Sequence, residues 1–585
     1  MARGRFRHWI IVALLFSPSV FARVETLPYP RALYHKVEFW KLVYTKYTTR
    51  QGILHDSEDL SIIYTDVDLG PFRDQERADV QRMRVRDAIY GILSKRGQNL
   101  TSFEKEILSK FPKYASRSRL SQAAENIRFQ LGQADRFKAG VINSNKYMRD
   151  IERILREEGA PDFIKYLPHV ESSFQEKAIS KYGAAGLWQI MPATGRQFIR
   201  VDYAVDERLD PWSATRAAAK YLLQNYRRLR EWPLALTAYN HGAGGVERAM
   251  KMLGTSDIAE IAFQYSSRSF GFASRNFYAQ FLAAVQVAQD YKKYFGALEL
   301  AQPDEFEEIR LKKDTRFRDF SKEYTFNLTE FKKLNLGLRP VVFQNKKPIP
   351  RGTLVRLPKG SRKSNVAVAS IDKNISEKIL KSTEPEIKLK VEVPRPEKSK
   401  ASLADAAIKE KDSAPGKLPT LEDLDHGAKY RIQNLVEGRA WIKVEVNESI
   451  SQISDWVGVD VAEIRKWNGL GDRGQARLGQ KLLIRFEKVT PAQFEQDRRE
   501  YHAQIREDFF SRYQVKQLID YSVQDGENLW SICYQKFEVP PWLLEEFNPE
   551  LSLLDIKKGT KLRIPRLEEL PPDVMSSAQD ETSSL

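Results

Sequence analysis

Three stretches in the second half of the chain share one pattern, and it constrains the fold more than any other feature. Phe317-x-x-Phe320 is followed by Asn335 and Gly352-Thr-Leu354. Ile450-x-x-Ile453 is followed by Asn468 and Gly479-Gln-Lys-Leu482, and Leu529-x-x-Ile532 by Asn548 and Gly559-Thr-Lys-Leu562. The interval from helix to asparagine is 15, 15 and 16 residues. Each stretch reads as a short strand, a helix, an asparagine and a closing glycine-led strand. Repetition of one small unit implies an array of modules. A tandem array of weak sites gains avidity on a repeating ligand.

The segments around the array differ in character. Residues 361–426, between the first and second units, are rich in Lys, Glu, Ser and Pro. They hold too little apolar surface to offset the entropy of ordering, so a flexible linker is expected. Residues 489–516 read as a charged helical spacer, and 568–585 as a disordered tail. The formal net charge of +16 favours an anionic partner. No zinc-finger, helix-turn-helix or RNA-binding aromatic signature accompanies it, so nucleic acid is not expected. The single cysteine, Cys533, excludes an internal disulfide and a thiolate metal cluster. His169, His241 and His426 lack ligand spacing, and neither metal nor cofactor is expected. Arg3, Arg5 and Arg7 precede the apolar run Trp9 to Phe16 and then Val20-Phe21-Ala22. This reads as a secretory signal over 1–22, with an uncleaved N-terminal anchor as the alternative. The apolar run is short for a membrane span, and no later stretch is longer. An exported chain with no stable membrane span after signal removal is expected.

The first half reads as helical. Over 23–135, Ala88-Ile89, Ile92-Leu93 and Ile107-Leu108 recur at helical spacing, and Arg128 to Phe137 is taken to continue the pattern. In 136–298, Pro161 sits at a first-turn position, and Pro168 bends the segment just ahead of Glu171. Asp210-Pro211 opens a helix rich in alanine and leucine. Leu234 to Tyr239 is halted by Gly242, and Phe277 to Tyr291 forms a last amphipathic helix.

One carboxyl stands out in this core. Glu171 lies among Leu167, Val170 and Phe174 and is followed by Ser180, Gly183-Ala-Ala-Gly186-Leu-Trp-Gln189 and Met191-Pro-Ala-Thr-Gly195. Apolar neighbours disfavour the charged form, raise the pKa and keep a proton available near neutral pH, which suits a general acid. Glycines let the backbone lie close to a bulky ligand. No Asp or Glu occurs between Glu176 and Asp202, so the nearest candidates for a second catalytic carboxylate are missing. Asp206, Glu207 or a distant residue could still fold into place.

The register from Glu171 through Ser180, Gly183, Gly186, Gln189 and Met191-Pro192, with Ala238-Tyr239-Asn240-His241-Gly242, resembles the catalytic domain of soluble lytic murein transglycosylases, a lysozyme-like family. Arg128-Phe-Gln-x-Gly-Gln133 and Ile151 to Gly159 look like the membrane-bound D-type branch. The repeat units look like LysM modules. The third, with Tyr521-Ser-Val-x-x-Gly-Glu-Asn-Leu-Trp530, is the clearest, and the first is degenerate. The resemblance implies that Glu171 is the sole catalytic acid and base. It would protonate the bond between N-acetylmuramic acid and N-acetylglucosamine, then accept a proton from the sugar's 6-hydroxyl as a 1,6-anhydro ring closes. It also implies that Ser180, Gln189, Tyr239 and Asn240 line a glycan groove, with Gly183, Gly186 and Gly242 shaping it. Where the family has a tyrosine before its last core helix, this chain has Phe277 followed by Tyr278. Either Tyr278 substitutes by a local shift or that contact is missing.

The expected architecture is therefore mainly α. A signal (1–22) precedes an N-terminal helical region (23–135) and a lysozyme-like helical domain (136–298). Small βααβ modules follow at 305–360, 427–488 and 517–567. The implied partner is the glycan strand of peptidoglycan. A hydrolytic muramidase or chitinase on the same scaffold, or a non-catalytic wall-binding protein, remains the alternative.

Overall fold

The computed structural model describes residues 27–71, 73–267, 269–363, 429–471 and 474–570. The expected signal and most of the expected linker and tail lie outside these residues. Within them the chain is mainly helical with small α+β units, as expected.

The N-terminal third is not purely helical. A three-stranded antiparallel sheet of order β2-β1-β3 joins β1 (Gln51–Asp56), β2 (Ile63–Asp68) and β3 (Ile127–Leu131). The run from Arg128, read as helix, belongs to β3, where it pairs with β1 from Gly52↔Leu131 to Asp56↔Ile127. Ile127, Phe129 and Leu131 alternate with Arg128 and Gln130, a period of two that places them on one face. Helices Gln75–Ser94, Ser102–Ser109 and Arg117–Glu125 cover that face and close a small core around Tyr64, Val85, Ile89 and Ile107.

The helix Tyr34–Thr45 belongs elsewhere. Its Val37, Phe39, Trp40, Val43 and Tyr44 enter the same core as Trp188, Leu222, Ala235 and Phe281. Each such side chain stabilises the core by roughly 1.5–3 kcal/mol. A domain boundary at 135 would thus cut through a single core. Around it stand the helices Pro211–Leu229, Trp232–His241 and Phe272–Gln289. Asp210 caps the first, accepting from the Ser213 amide at 2.8 Å. Gly242 ends the second at φ +86°, a left-handed conformation that glycine adopts without a Cβ penalty. Pro161 lies at a start as expected, whereas Pro168, expected to bend the segment, also falls at a helix start. Pro161 precedes a short 3-10 turn (Asp162–Tyr166), and Pro168 lies in the first turn of the helix Leu167–Glu171.

The three repeated stretches each form strand, helix, helix, strand. In the first, Phe306–Arg310 pairs antiparallel with Leu354–Pro358 around Phe317–Glu323 and Leu328–Leu334. In the second, Arg439–Lys443 pairs with Lys481–Arg485, and in the third Tyr513–Ser522 pairs with Lys561–Glu569. The first strand of this third unit starts before residue 517, and its last strand ends after 567. The repeated asparagine has one job in all three. Asn335 Nδ2 donates to the carbonyls of Phe331 (2.8 Å) and Arg356 (2.6 Å), while its Oδ1 accepts from the Arg356 amide (2.8 Å). Asn468 makes the same three bonds to Ile464 and Leu483, and Asn548 to Leu544 and Arg563. The side chain ties the end of the second helix to the last strand, which explains why an asparagine recurs there in every unit.

The expected spacer is the 20-residue helix Pro491–Phe510. It does not stand free but lies between the modules and the helical core. The second and third modules abut: a Cβ on Gly479 would lie 2.4 Å from Leu554 Cδ1, and Val446 is part of the third module's core.

Candidate active site

Glu171 is the last residue of the helix Leu167–Glu171, whose Leu167 and Pro168 are buried. Part of the residue stays open to solvent, but its Oε1 is closed off and has no hydrogen-bond partner. Burial pushes the carboxyl pKa up to about 8, so the protonated form dominates at neutral pH. Its titratable neighbours do not compete in that range. Burial raises the phenols of Tyr44 and Tyr239, and the Glu171 charge raises both further. His169 is buried against Phe137 (ring centroids 5.0 Å apart), and burial lowers its pKa to about 3, so it stays neutral. Tyr44 comes from the helix Tyr34–Thr45, far upstream, and no spacing in the sequence marks it.

The turn after Glu171 closes the niche. Ser172 Oγ donates to the Leu187 carbonyl at 2.8 Å, and Tyr239 OH donates to the Trp188 carbonyl at 2.7 Å. Trp188 is fully buried and donates through Nε1 to Thr215 Oγ1 at 2.9 Å. It is a packing residue and not an open sugar platform. Gly183 and Gly186 take φ +84° and +75°. A Cβ on Gly186 would lie 1.9 Å from the Arg208 carbonyl oxygen, so no other residue fits there.

The remaining expected site residues are placed unevenly. Ser180 Oγ accepts from the Ala184 amide at 2.9 Å and so shapes the turn. Gln189 Nε2 is spent on the carbonyls of Ala178 and Gly186, at 3.1 and 2.9 Å. Asn240 is exposed next to Tyr239 at the end of its helix, its Oδ1 facing Ser274 Oγ at 3.4 Å. Tyr278 is not brought to the site. It is buried, and its hydroxyl donates to the Pro28 carbonyl at 2.5 Å, tying down the start of the described chain. Phe277 beside it is also buried.

The candidate second carboxylates are engaged elsewhere. Glu176 accepts from Tyr147 OH, and Glu207 accepts from the Arg200 amide at 2.7 Å. Burial works against the charge of Asp206, but Arg208 overcomes it and holds that carboxyl below its usual range. The Arg208 fork donates Nε to Asp206 Oδ1 (2.9 Å) and Nη2 to Oδ2 (2.6 Å). Its Nη1 reaches the carbonyls of Gly183 (2.6 Å) and Ile190 (3.1 Å). Arg208 thus ties both ends of the turn, a role that only tertiary structure reveals. Among the described residues no cluster of three or more His, Cys, Asp or Glu could hold a metal ion, and no helix is long and apolar enough to cross a membrane.

Comparison with known proteins matches residues 150–262 to the transglycosylase SLT domain, and residues 442–485 and 521–565 to the LysM domain. Over 360 residues the chain is 24% identical to the membrane-bound lytic murein transglycosylase D of Escherichia coli K12, covering 59% of this chain and 77% of that protein. It is 32% identical over 106 residues to a putative tributyltin chloride resistance protein of an Alteromonas species, covering 18% of this chain and 51% of that protein. Among solved structures, the 70-kDa soluble lytic transglycosylase of Escherichia coli aligns with 38% of each chain at 18% identity, with a TM-score of 0.23.

Proposed function

We propose that this chain, which carries a transglycosylase SLT domain and two LysM domains, is an exported cell-envelope enzyme that cleaves peptidoglycan glycan strands without water. The observation that carries this reading is the closed, unpartnered Glu171 Oε1, with the pKa of its carboxyl raised by burial alone. Protonated Glu171 donates to the glycosidic oxygen as the bond from N-acetylmuramic acid C1 to N-acetylglucosamine O4 breaks. The muramic 2-acetamido group supports the developing positive charge. The 6-hydroxyl oxygen then bonds to C1, and its proton passes to the Glu171 carboxylate, restoring the acid. A bond forms for each one broken, and no water enters. Ordinary glycosidases need a second carboxylate at a set separation. Here Glu176, Asp206 and Glu207 are held by other partners. Asn240 and Tyr239 edge the groove, and the LysM domains hold the enzyme on the polymer.

Purified sacculi digested with the full chain should yield 1,6-anhydromuramic ends by mass. Products heavier by one water would replace this reading with a hydrolase. Glu171→Gln should abolish turnover, by at least roughly a thousandfold, while retaining binding to sacculi.

A further inference from the structure

The turn that closes the Glu171 niche is gripped from behind. Arg208 holds the Gly183 and Ile190 carbonyls and is itself held by Asp206. Asp206 in turn receives contacts from two C-terminal elements. Its amide donates to the Gly337 carbonyl of the first βααβ unit at 2.8 Å, and its Oδ2 accepts from Gln504 Nε2 of the helix Pro491–Phe510 at 3.3 Å. Arg339 locks those two elements together. It is nearly fully buried, its amide donates to the Ala204 carbonyl at 3.0 Å, and its Nη1 donates to Asp508 Oδ1 at 2.6 Å. Tyr182, just before the turn, lies tilted against Tyr534 of the third module, ring centroids 4.9 Å apart. The Arg208–Asp206 and Arg339–Asp508 bonds are charge-assisted, the strong class, and Arg208, Asp206 and Arg339 are all buried.

We propose that the first βααβ unit and the helix Pro491–Phe510 form a brace that, through Arg208 as a positioning residue, holds the Gly183–Ile190 turn against Glu171, so that the C-terminal half supports turnover as well as wall attachment. This rests on the proposed reaction. Ser172, next to Glu171, hydrogen-bonds to the Leu187 carbonyl, and Tyr239, which feels the Glu171 charge, hydrogen-bonds to the Trp188 carbonyl. The surroundings of that carboxyl therefore depend on where the turn sits, and a small displacement there costs rate steeply.

The test uses the full chain carrying Arg208→Lys, Arg339→Ala or Arg339→Lys. Hydrogen exchange is followed on the peptide spanning 183–190, and steady-state turnover on solubilised glycan strands. The brace predicts faster exchange in that peptide and unchanged exchange in 211–229. It predicts kcat lower by roughly tenfold with KM and sacculus binding within about twofold, and partial recovery in Arg339→Lys relative to Arg339→Ala. The alkaline limb of the pH profile should also move down, because water admitted beside Glu171 restores an ordinary carboxyl. Tyr44 and Tyr239, whose phenols feel the Glu171 charge, stay neutral across that range, as does buried His169 two residues before it in the same helix. Folded variants with wild-type exchange and wild-type kcat would overturn the brace. Should Arg208→Lys fail to fold, Gln504→Ala removes only the outermost contact and is read by the same exchange. A wild-type chain that yields no anhydro product would sink the proposed reaction, while the exchange measurement would still decide the brace.

Discussion

In the proposed reaction, burial of the Glu171 carboxyl, which pushes its pKa up to about 8, bears on both rate and stability. Turnover should hold through neutral pH and fall as pH rises through about 8, since the donor is then lost; a pH–rate profile checks this. The stability effect runs the same way. The folded state binds the Glu171 proton more tightly than the unfolded chain, so between roughly pH 4.5 and 8 folding loses support as pH rises. Glu171→Gln should therefore raise the melting temperature more at pH 9 than at pH 5. The difference should be worth about 2 kcal/mol, reduced by the part of the side chain that stays hydrated. Gly186→Ala should be the harsher change. A Cβ 1.9 Å from a carbonyl at φ +75° cannot be absorbed without moving the turn. A loss of about 3 kcal/mol or more in denaturant unfolding is expected.

At the scale of elements, the asparagine bridges offer a matched set of probes. Asn468→Ala or Asn548→Ala removes three hydrogen bonds and leaves a helix end and a strand unpaired. Each should cost about 2–4 kcal/mol, seen as local loss of exchange protection in that module. Asn335→Ala should do the same in the first unit and, through Gly337, loosen Asp206 as well. These elements were legible because one side chain serves the same geometry at one interval. Glu171 and its glycines were legible for the same reason, since local register encodes a local turn. β3 was not. Its Arg128 and Gln130 alternate with apolar residues over too few positions to stand apart from a helical stripe, and its partner β1 lies far off in sequence. Tyr44, Arg208 and the burial of Tyr278 against Pro28 were also hidden. They depend on which distant backbone arrives beside them.

For the molecule as a whole, the +16 charge predicts retention on anionic sacculi that weakens as salt rises from low concentration to roughly 0.5 M; a pull-down series measures it. Glu171→Gln should follow the same salt curve, separating holding from cutting. The contact of Leu554 with Gly479, with Val446 inside its neighbour's core and the ion pair of Lys429 with Glu545 at 2.7 Å, makes the second and third modules one body. Two grips fused in this way act like the jaws of a caliper. On the proposed function, strands whose sugars match the fixed span should engage both jaws together, and a strand interrupted within that span should forfeit the pair.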